Sequence, residues 1–246
     1  MRSFTRLLVL IIGCSIVVFE AMGQQYDEMK LDELSSEFTL TSFDMLRELL
    51  SIPNDASYHG EIEKNILWCE NAFAARSFRT NRIETSTVPL LLAEKTVKNA
   101  NKTVLIYLQL DGQPVDSNRW FQQSPYIPAL KAKENDEWEE IDWSQIEEYD
   151  DEWRVFARSA SDAKGPVAMF LTALDGLDSE QFQLNFNIKV IMDFEEELGS
   201  PRLPQAVTNN KEMLAADMLI IFDGPRHITN KPTLTFGARG IATIEL

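Results

Sequence analysis

The sequence predicts an α/β fold with a mostly parallel sheet flanked by helices. Three apolar runs at residues 103–110, 184–194 and 217–222 are rich in β-branched residues and have the composition of strands covered on both faces. Amphipathic helical patterns fill the two intervals between these runs, at residues 163–177 and 203–214. Strands that alternate with helices favour right-handed crossovers and parallel pairing. The first of the three runs should lie centrally in the sheet.

The N-terminal half of the chain adds helices and shorter strands to this pattern. Residues 39–52 place apolar side chains at helical spacing, and Pro53 ends the run. A second amphipathic helical pattern begins near Gly60. A strand-like stretch opens at Arg79, and residues 88–93 form a short apolar segment. These segments should complete the helical layers and extend the sheet.

Residues 1–23 have the pattern of an export signal. Arg2 and Arg6 precede an apolar run at residues 7–19, which is shorter than the ~20 residues that a membrane-spanning helix needs. We therefore expect a signal peptide that is removed, export to the periplasm or the extracellular space, and no stable membrane span after processing. Two alternatives stay open, a retained membrane anchor and lipid attachment through Cys14.

The remaining residues, 24–246, are enough for one main domain. Within it, residues 134–152 carry eleven carboxylates and no basic residue, interleaved with Trp138 and Trp143. This composition predicts an acidic surface insertion held by its tryptophans; a calcium loop is disfavoured because no glycine-turned ligand spacing is present. The net charge of −16 disfavours nucleic acid and anionic membrane faces as partners.

Acidic residues follow each of the three predicted central strands. Asp111 follows the first strand, residues 195–197 are all glutamate after the second, and Asp223 follows the third. Because ligand sites of open α/β sheets lie at the carboxyl ends of the strands, these side chains should converge, together with Asp162 from a loop. Several anionic oxygens are what a two-metal site needs. Taken singly, each residue is equally compatible with a solvated cap at a strand or helix end.

Four segments resemble, in order, the motifs of one enzyme family. The family is that of the co-catalytic metal exopeptidases and deacylases, which includes carnosinase, aminoacylase, acetylornithine deacetylase and succinyl-diaminopimelate desuccinylase. The resemblance runs from about Phe43 to the last residue. The matching segments are residues 108–114 (LQLDGQP) for G-H-x-D-x-x-P, 158–165 (RSASDAKG) for R-G-x-x-D-x-K-G, 196–200 (EELGS) for E-E-x-G-S, and Asp223 with 236–240 (FGARG) for S-D and Y-G-x-R-G.

The resemblance implies a zinc-exopeptidase-like catalytic domain with a role for each motif residue. Asp162 would bridge two divalent metal ions, with a cis peptide bond on its carboxyl side. Glu197 would bind one ion and Asp223 the other. Asp111 would orient the first-motif ligand, and Glu196 would act as the general base. The implied cofactors are two zinc ions in the complete protein, with manganese or another hard divalent ion as the alternative.

Two departures from the family pattern affect this site. Gln109 stands where the family has a histidine, and an amide oxygen is a poorer zinc ligand than an imidazole nitrogen, so Gln109 is a doubtful metal ligand. His227 is a conceivable replacement, although a surface loop histidine is the favoured interpretation. The sequence ends at Leu246, where the family continues into a lid and dimerisation domain and then a further histidine ligand. We therefore expect an incomplete catalytic domain, and a homodimer only if the lid is present.

Two functions are compatible with these observations. The first is a metal-dependent hydrolase of peptide or amide bonds, of the dipeptidase, carboxypeptidase or N-acyl amino acid deacylase type, acting on a small peptide or N-acyl amino acid. Arg239 is a candidate contact for the substrate carboxylate or a purely structural residue. The second is an exported pseudoenzyme or binding module that lost a metal site through Gln109. The presence of Glu196 together with the acidic ligands favours the enzyme.

Overall fold

The computed structural model describes residues 28–146, 150, 152–224, 229 and 233–236. The predicted signal peptide at residues 1–23 and Cys14 lie outside this part of the chain. The described elements are, in order, α1 (Glu28–Leu50), α2 (His59–Ala75), β1 (Arg79–Ile83), β2 (Leu90–Lys95), β3 (Thr103–Gln109), β4 (Ala129–Glu134), β5 (Glu137–Ile141), β6 (Arg154–Phe156), α3 (Lys164–Ser179), β7 (Asn187–Asp193), α4 (Leu203–Asn209) and β8 (Met218–Ile221).

The central sheet has five described strands in the order β1-β2-β7-β3-β8. Strands β7, β3 and β8 are parallel to one another, whereas β2 pairs antiparallel with both β1 and β7. The predicted α/β class is confirmed, and the sheet is mixed. Its parallel half consists of the three strands that the apolar runs predicted. β3 has a neighbour on each side, but β7 and not β3 is the middle strand of the five.

Helices cover the two faces of the central sheet unequally. On one face, α2 and α3 bury Ile66, Phe73 and Leu171 against the strands, and this cluster contains most of the buried core. On the other face, Ala206 of α4 and Leu214 pack against a smaller cluster from β2 and β7. The sheet is therefore sandwiched between helices near its centre. In the described part of the chain, no helix is both long enough and apolar enough to cross a membrane.

Strand β8 differs from the expectation of a strand covered on both faces. It pairs with β3 on one side, and its four side chains, Met218 to Ile221, are all exposed. No described element lies over them. The apolar run in the sequence correctly predicted a strand, but burial depends on neighbours that a run of residues does not specify. Only the following residue, Phe222, packs inward, with its ring centroid 6.0 Å from that of Phe170.

A second sheet of three antiparallel strands, in the order β5-β4-β6, contains the first part of the predicted acidic insertion, namely Glu134 at the end of β4 and all of β5. Strand β5 is largely exposed. The two tryptophans hold this region at its ends: Trp138 packs on Phe156 with ring centroids 5.3 Å apart, and Trp143 packs on Phe43 of α1 at 5.9 Å. Carboxylates 147, 148 and 151 lie outside the described residues. The domain boundaries stay a prediction.

Candidate metal centre

The motif residues follow the carboxyl ends of the three parallel strands. β3 ends at Gln109, β7 ends at Asp193 opposite it in register, and β8 ends two residues before Asp223. Because parallel strands end at the same edge, their following loops meet there. Asp162 reaches this edge from the loop that precedes α3.

Gln109 lies between two of the predicted ligands. Its side chain is buried, and its Nε2 donates to Oδ1 of Asp162 at 3.1 Å and to Oδ1 of Asp223 at 3.5 Å. Its Oε1 is buried with no hydrogen-bond partner among the described residues. The amide therefore links the two carboxylates through its N–H groups and leaves its acceptor unused.

The loop that carries Asp162 is fastened to the helix layer by its neighbours. The peptide bond between Asp162 and Ala163 is cis, as the family resemblance implied. Lys164 is fully buried, and its Nζ donates to the carbonyl oxygen of Leu49 at 2.8 Å and to that of Ile52, at the end of α1. Burial lowers the pKa of Lys164 to about 7. The lysine thus ties the loop before α3 to the end of α1.

Asp111 supports the loop that carries the paired glutamates. Its side chain is buried, and its Oδ2 accepts a hydrogen bond from the backbone N–H of Glu197 at 3.0 Å, while Oδ1 has no described partner. Burial raises the pKa of Asp111 to about 7, although backbone hydrogen bonds oppose the shift. The family resemblance implied that Asp111 orients the first-motif residue; its described contact positions Glu197 instead.

Replacing Asp111 with asparagine is expected to flatten the pH dependence of stability in metal-free protein. Because folding raises the pKa of Asp111 from 3.8 to about 7, the folded chain binds this proton more tightly, and the free energy of unfolding falls as pH rises through that window. Deprotonation of Asp111 should lower the free energy of unfolding of the wild-type protein by on the order of 2–4 kcal/mol, and the Asp111→Asn variant should not show this decrease. Urea unfolding in chelator at several pH values from 4 to 8 measures it; equal slopes in both proteins contradict the argument.

Glu196 and Glu197 point to different neighbours. Burial raises the pKa of the half-buried Glu196, and the charges of Asp223, Glu197 and Asp162 raise it further, so Glu196 lies within the field of the predicted ligands. Glu197 instead accepts a hydrogen bond from Nε2 of Gln113 at 2.8 Å. No three His, Cys, Asp or Glu side chains of the described residues form a compact metal-binding group. The described contacts do bring Gln109 together with the carboxylates of Asp162 and Asp223.

Several residues that shape this edge were missed by the sequence analysis. Asn54 is fully buried; its Nδ2 donates to the carbonyl of Leu110 at 2.7 Å and to Oγ of Ser159 at 3.0 Å, which joins the first two motif loops. Gly112 belongs to the same junction, since an ideal Cβ there would lie 2.5 Å from Oγ of Ser159. No local pattern predicts these contacts, because they join residues between 47 and 105 positions apart in the sequence.

The sequence analysis also missed the hydrogen bonds made by two buried acidic residues that precede the motif glutamates. Asp193 accepts a hydrogen bond from the backbone N–H of Glu195 at 3.0 Å and one from the hydroxyl of Tyr107 at 3.3 Å. Glu195 accepts from Oγ1 of Thr87 at 2.8 Å. The run of acidic residues after β7 was the available signal. His59 is exposed at the start of α2, and His227 and Arg239 lie outside the described residues.

Comparison with known proteins confirms the resemblance that the motifs indicated. The model of peptidase family M20/M25/M40 matches residues 127–235. The Beta-Ala-His dipeptidase of Homo sapiens is 29% identical over 154 residues, which are 62% of this chain and 26% of that protein. The cysteinylglycine-S-conjugate dipeptidase of Corynebacterium striatum is 28% identical over 224 residues, 86% of this chain and 44% of that protein.

Solved structures agree with this relationship. An M20 family metallo-carboxypeptidase from Sulfolobus solfataricus superposes with a TM-score of 0.62 at 27% identity, covering 78% of this chain and 39% of that one. Human carnosine dipeptidase 1 superposes with a TM-score of 0.61 at 23% identity over 80% of this chain and 40% of that one, a likeness of fold. The chain therefore spans less than half the length of these relatives.

Proposed function

We propose that the chain belongs to peptidase family M20/M25/M40, whose model matches residues 127–235, and that the complete protein is a metal-dependent hydrolase of small peptides or N-acyl amino acids. The relatives favour dipeptides, since Beta-Ala-His, Cys-Gly and cysteinylglycine-S-conjugate dipeptidases are among them. The observation that carries the proposal is the contact of Asp162 and Asp223 with Gln109 at the carboxyl edge of the sheet, with Glu196 close enough to feel the charges of both carboxylates.

The residues at this edge fit divalent cations. Two carboxylates approach a single buried amide whose oxygen has no described partner, which leaves an unused acceptor beside two anionic groups. We assign Asp162, Glu197 and Asp223 as protein ligands of two divalent cations. Zinc is the cation that the family generally uses, and manganese or another hard divalent ion is the alternative. Bound cations would supply Lewis acidity, which polarises the scissile carbonyl and makes water more acidic.

Glu196 is the residue that we assign to proton transfer. Its raised pKa reflects partial burial and the neighbouring carboxylates, so it holds a proton more readily than an ordinary glutamate. As the general base it would accept a proton from the attacking water and deliver it to the leaving amine. Asp111 accepts a hydrogen bond from the backbone N–H of Glu197, and this contact positions the two adjacent glutamates relative to the strands.

An assay of amine release tests the proposal. Purified protein from the complete gene is supplied with Zn²⁺ or Mn²⁺ and with β-Ala-His, Cys-Gly and an N-acetyl amino acid. We expect release from at least one dipeptide, loss of activity on chelation, and recovery when the metal is restored. Failure to cleave any of these substrates with either metal would falsify the assignment.

A pseudoenzyme is favoured by one observation, the occupation of the space between Asp162 and Asp223 by the N–H groups of Gln109. A side chain that satisfies both carboxylates lessens their need for a cation. This alternative predicts that peptides bind without being cleaved. Isothermal titration with a dipeptide, run beside the amine-release assay, separates it from the enzyme.

We further propose that residues 1–23 direct export, with lipid attachment at Cys14 as the alternative. The basic N-terminus and the short apolar run support it. The mature protein in the periplasm or medium should then begin after residue 23, as N-terminal sequencing would reveal. Lipidation predicts membrane association that Cys14→Ser abolishes, and an unprocessed chain in the cytoplasm contradicts both forms of the proposal. Dimerisation through a lid domain is proposed only for the longer protein.

A further inference from the structure

We propose that Gln109, Asp162 and Asp223 form an oxygen-only cation position that takes a hard ion, Mn²⁺ or Mg²⁺, in place of zinc, with the Gln109 amide turning over to present its oxygen. The inference deepens the proposed function, on which it rests, by assigning the metal class of one position. It depends on Gln109, which stands where the family's first motif has a histidine.

The geometry places all three side chains at one point. Nε2 of Gln109 lies 3.1 Å from Oδ1 of Asp162 and 3.5 Å from Oδ1 of Asp223. Two carboxylates held apart by a single amide nitrogen define the position that a cation would otherwise fill. The amide therefore partly replaces a cation, because its N–H groups donate hydrogen bonds that offset the repulsion between the two carboxylates.

The unused oxygen of Gln109 is the second observation. The residue is only 2% exposed, and its buried Oε1 has no described hydrogen-bond partner. Unpaired buried acceptors are uncommon because desolvation is not compensated. Rotation of the amide by half a turn exchanges its oxygen and nitrogen. The oxygen then faces the two carboxylates, an arrangement that is repulsive without a cation and favourable with one.

The chemistry of the three ligands decides which cation fits. Carboxylate and amide oxygens are hard donors and suit Mg²⁺, Mn²⁺ and Ca²⁺, whereas zinc sites draw on imidazole and thiolate. Asp162 and Asp223 are exposed at this edge, so the position is open to water ligands that complete an octahedron. Replacing the amide with an imidazole should transfer the preference to zinc.

The test compares Mn²⁺ and Zn²⁺ binding to wild-type protein and Gln109→His. Electron paramagnetic resonance reports bound Mn²⁺, and competition with Zn²⁺ gives the ratio of the two dissociation constants without any activity measurement. We expect Gln109→His to shift this ratio toward zinc by about tenfold or more, the scale on which ligand environment changes metal affinity. An unchanged ratio would show that Gln109 does not touch the cation and would overturn the proposal.

Two further variants keep the test decisive. Gln205→His makes the same substitution at an exposed position of α4 and should leave the ratio unchanged; a shift there overturns the interpretation. Asp223→Asn alters an exposed ligand and should weaken Mn²⁺ binding about tenfold, which holds even where Gln109→His fails to fold. Wild-type protein that binds no Mn²⁺ also overturns the proposal. Selective Mn²⁺ binding without peptide cleavage would refute the proposed hydrolase and leave this inference standing.

Discussion

Gly165→Ala is expected to destabilise the protein by about 3 kcal/mol, the upper part of the range for overpacking. An ideal Cβ at this position would lie 2.3 Å from the carbonyl oxygen of Ala160, an atom of the backbone that no side-chain rotation removes. Relief would require the loop to move away from the start of α3. The same loop carries Asp162, so metal affinity should fall together with stability.

Gly60→Ala is the matched control for this substitution. Gly60 lies at the start of α2, where nothing is found within 4 Å of an ideal Cβ. Alanine there should be neutral or stabilising by roughly 0.4–1 kcal/mol, because it restricts the unfolded chain. Urea unfolding of both variants measures the difference. Equal stability of the two variants would mean that the crowding at Gly165 is relieved at little cost.

Glu196→Gln is expected to lower kcat by roughly 10²–10⁴-fold in the metal-loaded complete protein, the usual loss when a general base is removed. Glutamine keeps the shape of the side chain but cannot accept the proton. Bound metal should be nearly unchanged, because the assigned ligands are Asp162, Glu197 and Asp223 and do not include Glu196. Steady-state kinetics with parallel metal analysis checks both expectations.

Glu212→Gln, at an exposed position beyond α4, is the matched control and should retain full activity. The pH profile supplies an independent readout. In the wild type, kcat should rise with pH as Glu196 loses its proton, and Glu196→Gln should lack this rise. A Glu196→Gln variant that keeps both the rate and this rise would exclude Glu196 as the base.

The strands and helices of the core were predictable from the sequence because their side chains repeat with a clear period. The run at residues 103–110 became β3, and the pattern at residues 163–177 became α3 (Lys164–Ser179). The antiparallel pairing of β2 was not predictable, since pairing direction depends on how loops return the chain. Similarly, the sequence located β8 but did not reveal its exposed sides.

The candidate site was predictable to the level of which residues share an edge. Motif order and strand ends located Asp162, Asp223 and Glu196 in one region, and the structure agrees on their proximity to Gln109 or to one another. Which hydrogen bond each residue makes was not predictable. Asp111 holds a backbone N–H of the next loop, a contact determined by the three-dimensional course of two loops.

The exposed strand β8 has a consequence for handling this chain. The unpaired main-chain N–H and C=O groups along an edge strand can form hydrogen bonds with another extended peptide. Apolar side chains beside them favour this pairing. Four such side chains, Met218 to Ile221, stand uncovered by the described residues. Unless other parts of the polypeptide cover β8, molecules of this 246-residue chain will associate through this strand in concentrated solution. The extent of association should then rise with protein concentration in spite of the net charge of −16.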